Sequence, residues 1–499
     1  MTGFIRRFRP TDLLSRSEED LIHGAALELL ERGGVHVRHS RGLEVLAEGG
    51  CRVDSDAQLV RIPSSVAEEC MRRIPSSYSL TGRDPATAVR LGGSRYHFMQ
   101  GMGMRYVDPD TWELRPGTLK EVDEAYLVAD ALPNVHVLDS TQSISDIVGV
   151  PPAMQHLECV ASAYRMSGKP QHVGYLKHFD EFNVKMAQGL GVQPDVDIDI
   201  APPLSLTEDA VDAMLIYAPL GWGLEACPGG YAGATAPATI AGLVVQWWAA
   251  TIAFVTLAKL IDERAALSVE MAGGFLHPKW ASPINASPES WYAEGMGNQL
   301  CRRYQLPIAA AQGFCGESKM FDFQAAWEKA LGILSSIMTG SHMNVFQGSF
   351  ATELGYSAVL AVMDDDIAGA IGRYLLGAEI TEESLAIDLQ LAMGSEPTSF
   401  LNTPHTREHW IRDRFLPSVA DIGPYEDWVA AGKPELIDKA RAKVEQIVAE
   451  HRPKALSADE EGIIEDVLRE AREHCREQGL ISDSEWSAYQ EALEQAGRP

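Results

Sequence analysis

The chain has 499 residues, 45% of them apolar and 22% charged, which is the balance of a globular protein able to bury a large core. A formal net charge of −28 argues against non-specific nucleic-acid binding, which needs a basic surface, and it sets up a field that attracts cations. The seven cysteines are scattered without a C-x-x-C pair, so no disulfide framework, zinc site or other resident metal is expected, and a reducing cytoplasm suits the chain best.

The opening MTGFIRRFRPTDLL is basic but lacks an apolar core, so no secretory signal is expected. SEEDLIHGAALELLERG (17–33) has acidic residues in its first turn and glycines at its end, the pattern of an amphipathic helix. GVHV follows as a short strand, then SRGLEVLAEGG and PSSVAEECMRRIP as helices. SRYHFMQGMGMRYVDPDTWELRP has strand chemistry broken by glycines and a DPD turn, and reads as a hairpin. Residues 1–117 show no α/β alternation and are expected to form an N-terminal helix-and-hairpin cap.

From 118 the texture becomes regular. Strand candidates NVHVLDST, QHVGYL, VDIDIAPPLSL, WGLEACPGG, LSVEMAG, PIAAAQGF and HMNVFQGSF are separated by helical stretches. That order predicts a parallel sheet closed into a (β/α)8 TIM barrel over 118–400, with PTSFLN near Pro397 as a candidate eighth strand. Residues 401–499 read as a C-terminal helical extension on the outside of the domain or at a subunit contact.

One run, from Ala226 to Ala258, carries no charge, and about 20 apolar residues suffice to cross a bilayer. It is nevertheless rich in Ala, Thr and Gly, holds Gln246, and falls between two strand candidates. It is expected to be a buried barrel helix over 235–261, with Thr235 as its cap and Pro237 in its first turn, preceded by an active-site loop at 227–234. No membrane association is expected.

In a barrel the reacting groups lie at the C-terminal ends of the strands. Aromatic residues are dense there, including Tyr231, Phe314, Phe346 and Phe350, while Tyr96 and Phe98 of the cap hairpin could fold over the mouth. As a set these rings could cage a quaternary ammonium; one by one, each could simply be packing. Glu270 could face the cavity and bind a cation, or belong to a buried polar network. Gln312, His342 and Asn344 lie near strand ends and could anchor a substrate carboxylate. No P-loop, no dinucleotide fingerprint after a strand and no G-x-S-x-G elbow is present.

As a set, GGYAGATAPATIAGLVVQWWAATIAFVTLAKL, GNQLCRRYQLPIAAAQGFCGESKMFDFQAAWEKALGILSSIMTGSHMNVFQG, ALELLERGGVHV, FLNTPHTREHW and WVAAG resemble the trimethylamine methyltransferase family over most of 15–470. The resemblance implies a (β/α)8 barrel that moves a methyl group from a methylated amine to the Co(I) of a corrinoid, a cobalamin held by a separate protein, with no tightly bound cofactor of its own. The sequence contains no pyrrolysine, so it resembles the branch acting on quaternary amines, glycine betaine first, with proline betaine, carnitine or trimethylamine as alternatives. A non-catalytic amine-binding barrel and a zinc-dependent methyltransferase are the competing readings. The C-terminal helices offer the surface for a homodimer.

Overall fold

The computed structural model describes residues 2–101, 103–140, 146–309 and 316–498. Eight short strands alternate with eight helices. In chain order they are β1 Arg95–Gln100, α1 Leu119–Ala131, β2 Leu138–Asp139, α2 Pro152–Met166, β3 Gln171–Val173, α3 Asp180–Gly189, β4 Asp195–Asp199 and α4 Glu208–Tyr217. They continue with β5 Gly223–Cys227, α5 Ile240–Ile261, β6 Ala266–Glu270, α6 Pro288–Arg303, β7 Ile308–Ala309, α7 Phe323–Thr339, β8 Met343–Gln347 and α8 Ala358–Leu376.

Strands β2 to β7 form one parallel sheet in sequence order. Strand β8 pairs in parallel with β1, Met343 opposite His97. A parallel bridge between Met99 and Val137, with the Gln100 amide donating to Val137 at 2.9 Å, ties β1 to the β2 edge. At the other edge the His342 amide donates to the Ile308 carbonyl at 2.8 Å. The fold is therefore mixed α/β, built on parallel strands. All seven strand candidates of the central region contain strands.

Two expectations are corrected. The eighth strand is not PTSFLN, which is exposed coil and turn, but Arg95–Gln100, from the segment assigned to a cap. What does cover the sheet is the antiparallel hairpin of Ser77–Leu80 and Val89–Gly92. Its Leu80, Val89 and Leu91 pack on Met99, Val137, Ala309, Met343 and Val345.

The apolar run becomes α5, with 78% of its most apolar window buried inside the protein. Its cap is Thr239, whose Oγ1 accepts from the Gly242 amide at 3.2 Å. Thr235 lies in the preceding loop, where its Oγ1 accepts from the Tyr231 amide at 3.0 Å. The helix thus starts five residues later than expected, because Thr235–Pro237 are used to turn the loop.

The C-terminal helix Ala458–Glu477 packs on α2 and α3, and Leu436–Glu450 packs on α1 and α8. The fully buried Glu158 of α2 receives Arg472 Nη2 at 2.9 Å and Arg498 Nη1 at 2.7 Å. Removing either arginine would leave part of a buried charge unmatched, which is far more costly than losing a surface pair.

Candidate functional site

Strand alternation builds the site. Successive side chains of a strand point to opposite faces. In β4, β5 and β6, Val196, Ile198, Leu224, Ala226, Leu267 and Val269 join the large apolar core. The other set, Asp195, Asp197, Asp199, Glu225, Cys227, Ser268 and Glu270, therefore shares the opposite face. Gly223 makes room at the N-terminal end of that face: a Cβ there would lie 2.3 Å from Asp195 Oδ1 and 2.4 Å from Tyr78 Cε2.

The deep end is a hydrogen-bonded chain. Tyr78 Oη of the hairpin lies 2.7 Å from Asp195 Oδ2 and 2.9 Å from Ser268 Oγ, and Ser268 Oγ lies 3.1 Å from Glu225 Oε2. Two hydroxyls bring two protons to three contacts, so the third proton belongs to a carboxyl group. Burial and mutual repulsion favour that proton: Glu225 is pushed well above the usual carboxylate range by burial and then by Asp195, and burial likewise raises Asp195. His172 stands between them, Nδ1 3.9 Å from Asp195 Oδ2 and Nε2 3.7 Å from Glu225 Oε1, and burial drives its pKa down to about 3. It is neutral at physiological pH.

Toward the C-terminal strand ends, ligand atoms of Asp197, Cys227 and Glu270 lie within 4.8 Å of one another, as do those of His172, Asp197 and Glu225. Burial, followed by the neighbouring carboxylates, raises Asp197 strongly and lifts Glu270 to about 8. Among the described residues, no lysine or arginine forms an ion pair with Asp195, Asp197, Asp199, Glu225 or Glu270. Asp197 Oδ1, Glu225 Oε1 and His172 Nδ1 are buried without a hydrogen-bond partner there. Such a face stabilises a cation placed before it. Its oxygen, nitrogen and sulfur donors could equally hold a divalent metal, an option that sequence spacing did not reveal. Tyr175 lies half-buried at the end of β3, and its phenol is raised by burial first and then by Asp199 and Asp197.

Of the residues singled out in the sequence, Glu270 lies on this face and Tyr231 in the loop after β5, half-buried. Phe350 is buried beyond β8, edge-on to Phe321 at 5.4 Å, and Phe321 in turn meets Trp112 at 4.7 Å. Four residues point elsewhere. Tyr96, Phe98 and Phe346 pack outward with Ile333, Ile337 and Ala368 of α7 and α8. Asn344 accepts from Tyr96 Oη at 2.7 Å and from Ser336 of α7 at 3.2 Å. These four hold the even-numbered positions of β1 and β8, opposite the face of Met343 and Val345. Phe346 does meet a cation, but it is the protein's own Lys329, 4.9 Å from the ring and paired with Asp364 at 2.9 Å.

His342 sits at the other end of the strands, its Nδ1 accepting from the Ile308 amide at 3.0 Å. Burial lowers its pKa to about 3. Gln312 and Phe314 lie outside the described residues. The residues missed, Asp195, Asp197, Asp199 and Glu225, had a readable signal: D-x-D-x-D in a strand sets three carboxyls on one face.

Comparison with known proteins agrees with a catalytic reading. The profile of the trimethylamine methyltransferase (MTTB) family matches residues 1–474. The chain belongs to that family and is a methyltransferase. It is 25% identical over 460 residues to the glycine betaine methyltransferase of Desulfitobacterium hafniense, covering 90% of this chain and 94% of the relative. To a trimethylamine methyltransferase from another strain of that organism it is 26% identical over 467 residues, covering 91% and 92%. The solved monomethylamine methyltransferase of Methanosarcina barkeri shares 14% identity over 89% of each chain at a TM-score of 0.45, an overlap that adds nothing to the strand pairing described above.

Proposed function

We propose that the eight strands form a closed (β/α)8 barrel whose acidic face receives a quaternary amine, glycine betaine first, and that the chain passes one of its methyl groups to a corrinoid carried by a separate protein. The observation that carries this reading is the set of carboxyl groups on β4, β5 and β6 with no lysine or arginine paired to them among the described residues. A quaternary nitrogen is a permanent cation that cannot donate a hydrogen bond, so it is matched by charge and by ring faces rather than by donors. Glu270 and Asp197 face the ammonium, with Tyr175, Tyr231 and Phe350 as the candidate rings. The substrate carboxylate is held outward, away from Asp195 and Glu225.

The corrinoid is a co-substrate and supplies the nucleophile. The C–N bond breaks with its electron pair remaining on nitrogen, so dimethylglycine leaves as a neutral amine nitrogen and no proton moves. The chain's own work is to orient one methyl group toward the mouth and keep water out. Neither role needs a general acid. The enzyme acts in the cytoplasm, and the exposed apolar segment over 380–429 supports a homodimer.

The test mixes the purified protein, a corrinoid protein reduced to Co(I) and glycine betaine, then follows the cobalt absorbance and dimethylglycine together. Growth of both supports the proposal. Absence of change with every quaternary amine overturns it, and turnover of trimethylamine alone would transfer the reading to a tertiary amine.

A further inference from the structure

The N-terminal ends of β1, β7 and β8 carry the reverse charge. A cavity of about 540 Å³ opens at the N-terminal ends of β1, β7 and β8, lined by Arg6, Arg90, Arg95 and Arg302 with Ser77 and His342 among its walls. No aspartate or glutamate is among the described residues lining it. In a chain of net charge −28, four guanidinium groups around one cavity are not a consequence of composition.

Among the described residues, one of the four has a carboxylate partner. Arg302 Nη2 lies 2.5 Å from Asp12 Oδ1. The others bond to neutral groups: Arg6 Nη1 donates to the Ser341 carbonyl at 2.8 Å, Arg90 Nη2 to Ser77 Oγ at 2.8 Å, and Arg95 Nη1 to the Thr2 carbonyl at 3.4 Å. Among the described residues none of these three forms an ion pair. Arg6 is only 7% exposed, so its charge has little water to compensate it, and Arg302 Nε is buried without a hydrogen-bond partner. A buried guanidinium with no counter-charge is costly, and an anion in the cavity would supply what the chain does not. His342 does not add to the charge; its ring is neutral and held by the backbone on both sides, at Ile308 and Gly93.

We infer that this cavity is a binding site for a small phosphate-bearing anion, separate from the acidic methyl-transfer face. The planar guanidinium fork fits phosphate oxygens in pairs, and three uncompensated forks call for at least two negative charges. The volume is that of a small-molecule site and exceeds the need of a single inorganic phosphate. A diphosphate group fits charge and space together.

Titration calorimetry of the full chain with pyrophosphate, inorganic phosphate and citrate tests the assignment at low ionic strength. One pyrophosphate per chain is expected, inorganic phosphate at least tenfold weaker, citrate weaker still, and the unfolding midpoint raised by pyrophosphate. Arg90 and Arg95 lie on the accessible rim, so Arg90→Ser with Arg95→Ser should weaken pyrophosphate at least tenfold without lowering the ligand-free midpoint by more than a few degrees. If that pair fails to fold, Arg95→Ser alone gives the same reading. Absence of saturable pyrophosphate binding, an unchanged Kd in the variant, or equal binding of citrate would each overturn the inference.

Discussion

Glu270 concentrates the chemistry of the acidic face in one side chain. Its carboxyl is buried in a group of acids, and its pKa of about 8 means that it is largely protonated at neutral pH until a cation arrives. Binding a quaternary amine should therefore release a proton near pH 7, and affinity should strengthen from pH 6 to pH 9 as the ligand-free carboxyl ionises. Calorimetry in buffers of different ionisation enthalpy checks this; a pH-independent Kd with no proton release would count against Glu270 as the cation's partner. For stability the sign is opposite. A carboxyl raised in the folded state stabilises it fully below the unfolded value, near 4.5, and that contribution disappears as pH rises through about 8. Glu270→Gln should then be more resistant to denaturant than the parent at pH 9 while binding betaine at least tenfold more weakly. Phe346 provides the contrast. Because its ring serves Lys329 and the α7–α8 packing, Phe346→Leu should cost about 1 kcal/mol in stability and leave betaine affinity unchanged within twofold. The aromatic content of the strand ends was legible in the sequence, but which rings face inward depends on register, and one residue of slip exchanges Phe346 with Val345.

Among the elements, the central alternation was readable because most of its helices carry a terminal signal and its strands are short and mostly buried. Thr118 with Glu121 forms a capping box at α1, and Ser357 caps α8. What failed was β1. RYHFMQ holds an arginine, a histidine and a glutamine, and its helix follows only after a hairpin, so nothing local marks it as a partner of β8, nearly 250 residues on. Such long-range pairing is set by the whole sheet rather than by neighbours in sequence. The start of α5 was misplaced for a similar reason: Thr235, Thr239 and Pro237 all suit a helix start, and the loop's need to return on Tyr231 decides between them. The structure assigns separable roles to the two threonines. Thr239→Ala should cost about 1 kcal/mol of stability through loss of the cap, with little effect on amine binding. Thr235→Ala should spare the unfolding midpoint and weaken binding by loosening the 227–234 loop. Denaturant titration beside calorimetry distinguishes the pair; equal destabilisation by both would refute the assignment.

For the molecule as a whole, charge is segregated, with acids along one face of β4, β5 and β6 and arginines at the N-terminal ends of β1, β7 and β8, while apolar surface is left over elsewhere. Ile380, Leu391, Leu401 and Ile422 are 75%, 75%, 79% and 69% exposed, and Trp410, Ile411 and Tyr425 in the same segment are also open to solvent. Scattered exposed apolar side chains are ordinary, but so many within one segment mark an interaction surface. A stable interface takes about 20–30 residues from each partner, which this segment can supply by itself, and a twofold axis would set it against the same segment of a second copy. The C-terminal helices, expected on the outside of the domain or at a subunit contact, pack their inner faces on α1, α2, α3 and α8. The parent chain of 54.5 kDa should therefore run as a dimer in light scattering coupled to gel filtration. Leu391→Glu with Leu401→Glu should convert it to a monomer that keeps its fold, because neither side chain is buried within its own chain. A parent that is already monomeric, or a variant that remains dimeric, would remove this segment from the interface and direct attention to the corrinoid protein as its partner.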